Sequence, residues 1–74
     1  MTTLGQRLQS ARAEKKLSQR QVVEKLNDYG IESTQATISR YESDEFDTPA
    51  SIIRALSRIY DIDPSLLLFD ESEL

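Results

Sequence analysis

The stretch LSQRQVVEKLNDYGIESTQATISRYE, residues 17–42, decides the fold. Ser18 followed by Gln21 makes an S-x-x-Q capping box, in which each side chain satisfies an amide that the start of a helix leaves unpaired. Val22, Val23 and Leu26 then fall at helical spacing and supply the buried face of a helix that ends in NDYGI. Gly30 can take the left-handed conformation that a helix C-terminus needs, and Ile31 can fold back on the helix as in a Schellman motif. Ser33 or Thr34 caps the next helix, which turns Ile38 and Tyr41 inward and leaves Gln35, Ala36, Ser39 and Arg40 outward. Every outward side chain there is short or polar.

On the N-terminal side, Leu4, Leu8 and Ala11 recur at helical spacing between polar residues, so residues 3–15 read as an amphipathic first helix. On the C-terminal side a fourth helix starts at Thr48, with Pro49 in its first turn, where a missing N–H costs nothing. It buries Ala50, Ile53, Leu56 and Tyr60. Asp63 and Pro64 repeat the device for a short fifth helix, SLLLF. The expected class is all-α, five helices with connections of a few residues, forming one domain over residues 1–70 before a frayed acidic tail, 71–74.

Composition narrows the chemistry. A chain of 74 residues buries only roughly 60% of the surface its unfolded form exposes, so its apolar positions are nearly all core and little remains for a deep pocket. There is no cysteine and no histidine, which removes disulfides, thiolate metal sites and imidazole bases. Thirteen Asp and Glu are present, but no carboxylate pair stands out in an apolar cleft that would raise a pKa for acid–base work. No enzymatic activity, metal or small-molecule cofactor is expected. The N-terminus, MTTLGQRLQS, is polar and amphipathic, unlike a signal peptide or a membrane span, and a cytoplasmic location follows as the expectation.

Read in order, LGQRLQSARAEKKLSQRQVVEKL, ATISRYE and IIRALSRIYDIDPSLL resemble the helix-turn-helix family of phage repressor and Cro type, the XRE-like DNA-binding domains. The resemblance runs from residue 4 to about 69, and its most specific pieces are LSQ, TISRYE and the spacing to YDID. It implies a compact five-helix, lambda-repressor-like domain that regulates transcription, most often as a repressor, in a prokaryotic or phage-type cytoplasm, on the nucleoid. It further implies that helix three, about residues 34–42, lies in the major groove of double-stranded DNA with Thr34, Gln35, Ala36, Ser39 and Arg40 nearest the bases. Gln35 is the first candidate for base reading, because a side-chain amide can bond adenine N6 and N7 together. Arg40 can read guanine or hold a phosphate, and its later place on the helix favours phosphate. Backbone phosphates fall to Arg12, Ser18, Gln19, Thr37 and Ser43, with the N-terminal amides of helix two aimed at one of them. In similar repressors, the positions of Arg12 and Glu42 form an ion pair that fixes the angle of the reading helix.

Two stretches depart from the family pattern. NDYGIES separates helices two and three by about five residues more than the usual tight turn, so helix two is expected to run another turn before Gly30. ESDEFDT, residues 42–48, is acidic where similar repressors carry basic or Asn/Gly residues beside a phosphate.

The charge is unevenly divided. Residues 1–41 hold seven Lys/Arg and four Asp/Glu, a net +3, whereas the remainder holds two Arg and nine Asp/Glu, a net −7, which gives the whole chain −4. Phosphate attraction decays within roughly a 10 Å Debye length, so the face presented matters more than the total. Few cations sit on the basic half, and a monomer is expected to bind weakly and with strong salt dependence. A homodimer would double the contacts; Leu66, Leu68 and Phe69 in LLLF offer a symmetric apolar surface for it, or alternatively only close the core.

Plainer readings stand beside these. Gln35 and Ser39 on an exposed helix face are ordinarily just solvated, and Arg7, Lys15 and Lys16 are ordinarily surface charges. Tyr41, Tyr60 and Ile38 read as core, and Tyr29 as a cover for the end of helix two. The alternative function is a helix-turn-helix fold used for protein contact, as in an antitoxin or anti-repressor partner, through the acidic ESDEFD face. The two functions differ in whether Gln19, Gln35 and Arg40 form one face clear of Asp44, Glu45 and Asp47.

Overall fold

The computed structural model describes residues 2–69; the tail expected at 71–74 lies outside them. Five helices follow in order, α1 Leu4–Glu14, α2 Gln19–Asp28, α3 Gln35–Glu42, α4 Ala50–Ile59 and α5 Pro64–Leu68, and the described residues contain no strand. The class is all-α. Helix α3 packs across α1 and α2, α4 packs on α2, and α5 closes the far end against α1 and α4. Leu8, Val22, Leu26, Ile38, Leu56 and Leu67 are the largest side chains fully enclosed in the core, so all five helices feed it.

Local chemistry starts each helix. Ser18 and Gln21 form the expected capping box on α2. Thr3 and Gln6 form a second one on α1, a T-x-x-Q that obeys the same rule and shortens the helix expected at 3–15 to 4–14, with Thr3 and Lys15 as its caps. Of the two candidates for α3, Thr34 is the cap, accepting from the Thr37 amide. Asp63 caps α5 by accepting from the Ser65 amide and hydroxyl; these bonds hold its carboxyl below the usual carboxylate range. With Pro64 in its first turn, α5 ends at Leu68, and Phe69 is its extended C-cap.

Helix α4 begins later than expected. Pro49 is extended, with ψ 151°, and serves as the N-cap without a side-chain hydrogen bond, while its carbonyl accepts from Ile52 and Ile53. The helix therefore starts at Ala50, not Thr48. Ala50 is exposed, contrary to its expected burial, because the inward face of α4 begins a turn later at Ile53. That face also takes in Ala55 and Ser57, since α4 is covered by α2 on one side and α5 on the other. The Ser57 hydroxyl donates to the Arg54 carbonyl.

The ends share one device. After α2, Gly30 has φ +76°, the Gly30 amide donates to Asn27 and the Ile31 amide to Leu26, which is the Schellman pattern. The same pair of bonds follows α1 at Lys16 and Leu17, α3 at Asp44 and Glu45, and α4 at Asp61 and Ile62. Lys16, Asp44 and Asp61 are all left-handed non-glycine residues, where an L side chain is strained.

Candidate nucleic-acid interface

Helix α3 is held by a buried acid. Ile38 and Glu42, four residues apart, are its buried positions, and the Glu42 side chain is only 5% exposed. A carboxylate so placed must be paired. Arg12 on α1 donates from Nε to Oε2 at 2.7 Å and from Nη2 to Oε1 at 3.1 Å, while Gln19 on α2 donates from Nε2 to Oε1 at 3.1 Å. Arg12 Nη1 donates to the Leu17 carbonyl at the α1–α2 turn. One carboxylate thus ties three helices together. The hydrogen bond to Glu42, above all, raises the Arg12 pKa further. Burial, and then the charge of Glu42, push the Tyr60 phenol well above its ordinary value.

A second acid joins the end of α3 to the start of α1. Asp44 accepts from the Gly5 amide at 2.9 Å and from the Thr3 hydroxyl, so it caps the first turn of α1 from the loop after α3. The approach is close: a Cβ on Gly5 would lie 2.5 Å from the Glu42 carbonyl oxygen and 2.7 Å from that of Tyr41. Only glycine fits there.

The outer side of α3 carries Gln35, Ala36, Ser39 and Arg40, all exposed. At 100° per residue, Gln35, Ser39, Ala36 and Arg40 fall within one side of the helix. Thr34 and Thr37 stand apart from them: their hydroxyls lie 3.0 Å from each other, and Thr34 caps the helix. Ser18 is exposed at the start of α2, its hydroxyl engaged by the Gln21 amide. Gln19 and Arg12, expected near phosphates, direct their side chains to Glu42. Ser43 is exposed and donates to the Arg40 carbonyl. Leu66, Leu68 and Phe69 lie on α5 and its C-cap, each more than two-fifths exposed. Tyr41 is half-buried and packs against the core, at its edge instead of inside it, and Tyr29 is the exposed C-cap of α2.

Four contacts do not follow from the sequence pattern. The Gln19–Glu42 bond and the Asp44 anchor join residues 23 and 39 positions apart, with no local signal. Glu45 and Phe46 lie against Arg40: Glu45 Oε2 is 3.7 Å from Arg40 Nε, and the guanidinium carbon is 5.3 Å from the Phe46 ring centre. Of the four acids in the 42–48 stretch, Glu42 is buried, Asp44 faces α1, Glu45 faces Arg40 and Asp47 is exposed, so Gln19, Gln35 and Arg40 do not form one face clear of acids.

Among the described residues no cluster of His, Cys, Asp and Glu is arranged to hold a metal ion, and no helix is long and apolar enough to cross a membrane. A family model described as a helix-turn-helix domain matches residues 5–73, a span that takes in all of α2, α3, α4 and α5 and all but the first residue of α1. No curated protein and no solved structure matches the chain.

Proposed function

Because the chain belongs to the helix-turn-helix domain family, a class of DNA-binding regulator, we propose that it is a sequence-specific repressor reading the major groove with the outer side of α3. The observation that carries the reading is the two-sidedness of α3. Its inner side is fixed by Ile38 and the Arg12–Glu42–Gln19 bonds, while Gln35, Ala36, Ser39 and Arg40 are presented together to solvent. A reading helix needs both properties, since base contacts discriminate only when their geometry is held.

In this reading Gln35 is the base reader and Arg40 a phosphate or guanine contact. Ser18, Thr37 and Ser43 take phosphates with the amides at the start of α2, and Arg12 and Gln19 act mainly by fixing Glu42. Thr34 contributes as the cap of α3. The protein works as a homodimer in the cytoplasm, without catalysis or cofactor, and the exposed Leu66, Leu68 and Phe69 supply the dimer contact. In the alternative reading the acidic loop is a docking face for another protein. Pairing of Asp44 with α1 removes that acid from the docking face, whereas Glu45 beside Arg40 and exposed Asp47 leave the outer side of α3 close to acids and favour that alternative.

The test is selection from a random duplex pool at about 50 and 200 mM salt. Enrichment of a two-fold symmetric site, with Gln35→Ala losing preference at one base pair of each half-site, is the expected result. A pool left unenriched at the lower salt would end the DNA reading of α3.

A further inference from the structure

Phe46 is a large apolar side chain left 47% exposed within an acidic loop, and its surroundings give it a task. The Arg40 guanidinium stands over its ring at 5.3 Å, within reach of the attraction between a cation and an aromatic face. Tyr41 meets the same ring edge-on, with centroids 6.4 Å apart. Glu45 approaches Arg40 from the preceding position at 3.7 Å. The backbone makes this arrangement specific: the Arg40 carbonyl accepts from the Glu45 and Phe46 amides and from the Ser43 hydroxyl. The loop is fixed from its other side, where Asp44 is bonded to Thr3 and Gly5 of the α1 start.

We propose that Glu45 and Phe46 are positioning residues for Arg40, so that the loop after α3 sets how Arg40 engages DNA. The proposal rests on the DNA reading above and names side chains outside the reading helix that shape it. Phe46 holds the guanidinium plane, which spares part of the rotamer freedom an unsupported arginine loses on making a directed contact. Glu45 opposes it, because a phosphate or base must displace a carboxylate that is itself exposed and weakly held. The loop therefore contributes both a support and a competitor for the same cation.

The experiment measures equilibrium binding to the duplex enriched from the random pool, using Phe46→Leu, Phe46→Tyr and Glu45→Gln, each in the parent and in Arg40→Ala. Phe46→Leu is expected to weaken binding about 2- to 5-fold, and Phe46→Tyr to retain parental binding. In Arg40→Ala, Phe46→Leu should have no further effect, which a general role in loop structure would not predict. Glu45→Gln is expected to tighten binding about 2- to 5-fold at low salt, with less gain at high salt. Equal weakening by Phe46→Leu with and without Arg40, or no weakening at all, would overturn this proposal while leaving the DNA reading intact. Failure of the parent to enrich any duplex overturns both. Nuclear magnetic resonance supplies an independent check without DNA: the Arg40 side-chain protons should be shifted upfield by the Phe46 ring, and Phe46→Leu should remove that shift.

Discussion

Two arginine–glutamate pairs lie at opposite sides of the end of α3, and they differ in almost every physical respect. Arg12 and Glu42 meet at 2.7 Å with side chains 16% and 5% exposed, and Gln19 completes the carboxylate's bonding. Arg40 and Glu45 meet at 3.7 Å with side chains 50% and 65% exposed. Water competes with the second pair and hardly reaches the first. The buried pair accordingly belongs to the architecture that aims α3, and the exposed pair belongs to the surface that α3 presents. An acid three residues further along the chain has a different role because it faces a different medium.

The largest test breaks the buried pair. Glu42→Ala leaves the Arg12 guanidinium and Gln19 amide without their shared acceptor, and should cost about 3–5 kcal/mol in denaturant unfolding. A loss below about 1 kcal/mol would show that the pair is not structural. Next is the close packing beside it: Gly5→Ala forces a methyl against two backbone carbonyls, with an expected loss of about 1–3 kcal/mol by the same measurement. Thermal melting of unchanged midpoint would mean that α1 can move away from α3 freely.

A smaller test separates strain from anchoring. Lys16 and Asp44 are both left-handed helix ends, but Asp44 also binds the start of α1. Lys16→Gly should stabilise by about 0.5–1 kcal/mol through relief of strain. Asp44→Gly relieves the same strain yet loses a helix cap typically worth about 1 kcal/mol, and should be neutral or destabilising. Matching gains at both sites would remove the anchoring role of Asp44. The smallest change is at the exposed pair, where Glu45→Gln should alter stability by no more than about 0.5 kcal/mol. A stability loss comparable to that of Glu42→Ala would erase the distinction between the two pairs.

Much of the fold was legible because its signals are local. Ser18 and Gln21, or Gly30 and Ile31, act within one turn, and their bonds form wherever the helix is placed. The start of α4 was misplaced because Thr48 and Pro49 resemble a cap and a first-turn proline, whereas the extended backbone at Pro49 makes that residue the cap. The left-handed Lys16, Asp44 and Asp61 were not legible, since only glycine advertises that conformation in a sequence. At the interface, the outward set on α3 followed from its periodicity. The engagement of Gln19 with Glu42, and of Glu45 and Phe46 with Arg40, did not.

The sequence by itself determined five helices, the Ser18 and Asp63 caps and the Gly30 end of α2, the apolar faces that join the helices, and the pattern shared with helix-turn-helix domains. The resemblance to repressors already implied the Arg12–Glu42 pair; tertiary structure alone decided that Gln19 joins it and that Asp44 is structural. Glu42 is reached by Arg12 from thirty positions away, and Asp44 by Gly5 from 39. Those meetings depend on the directions that the turns after α1, α2 and α3 give to the chain. A carboxylate's energy depends on its nearest cation and its exposure to water, and both are properties of the assembled helices.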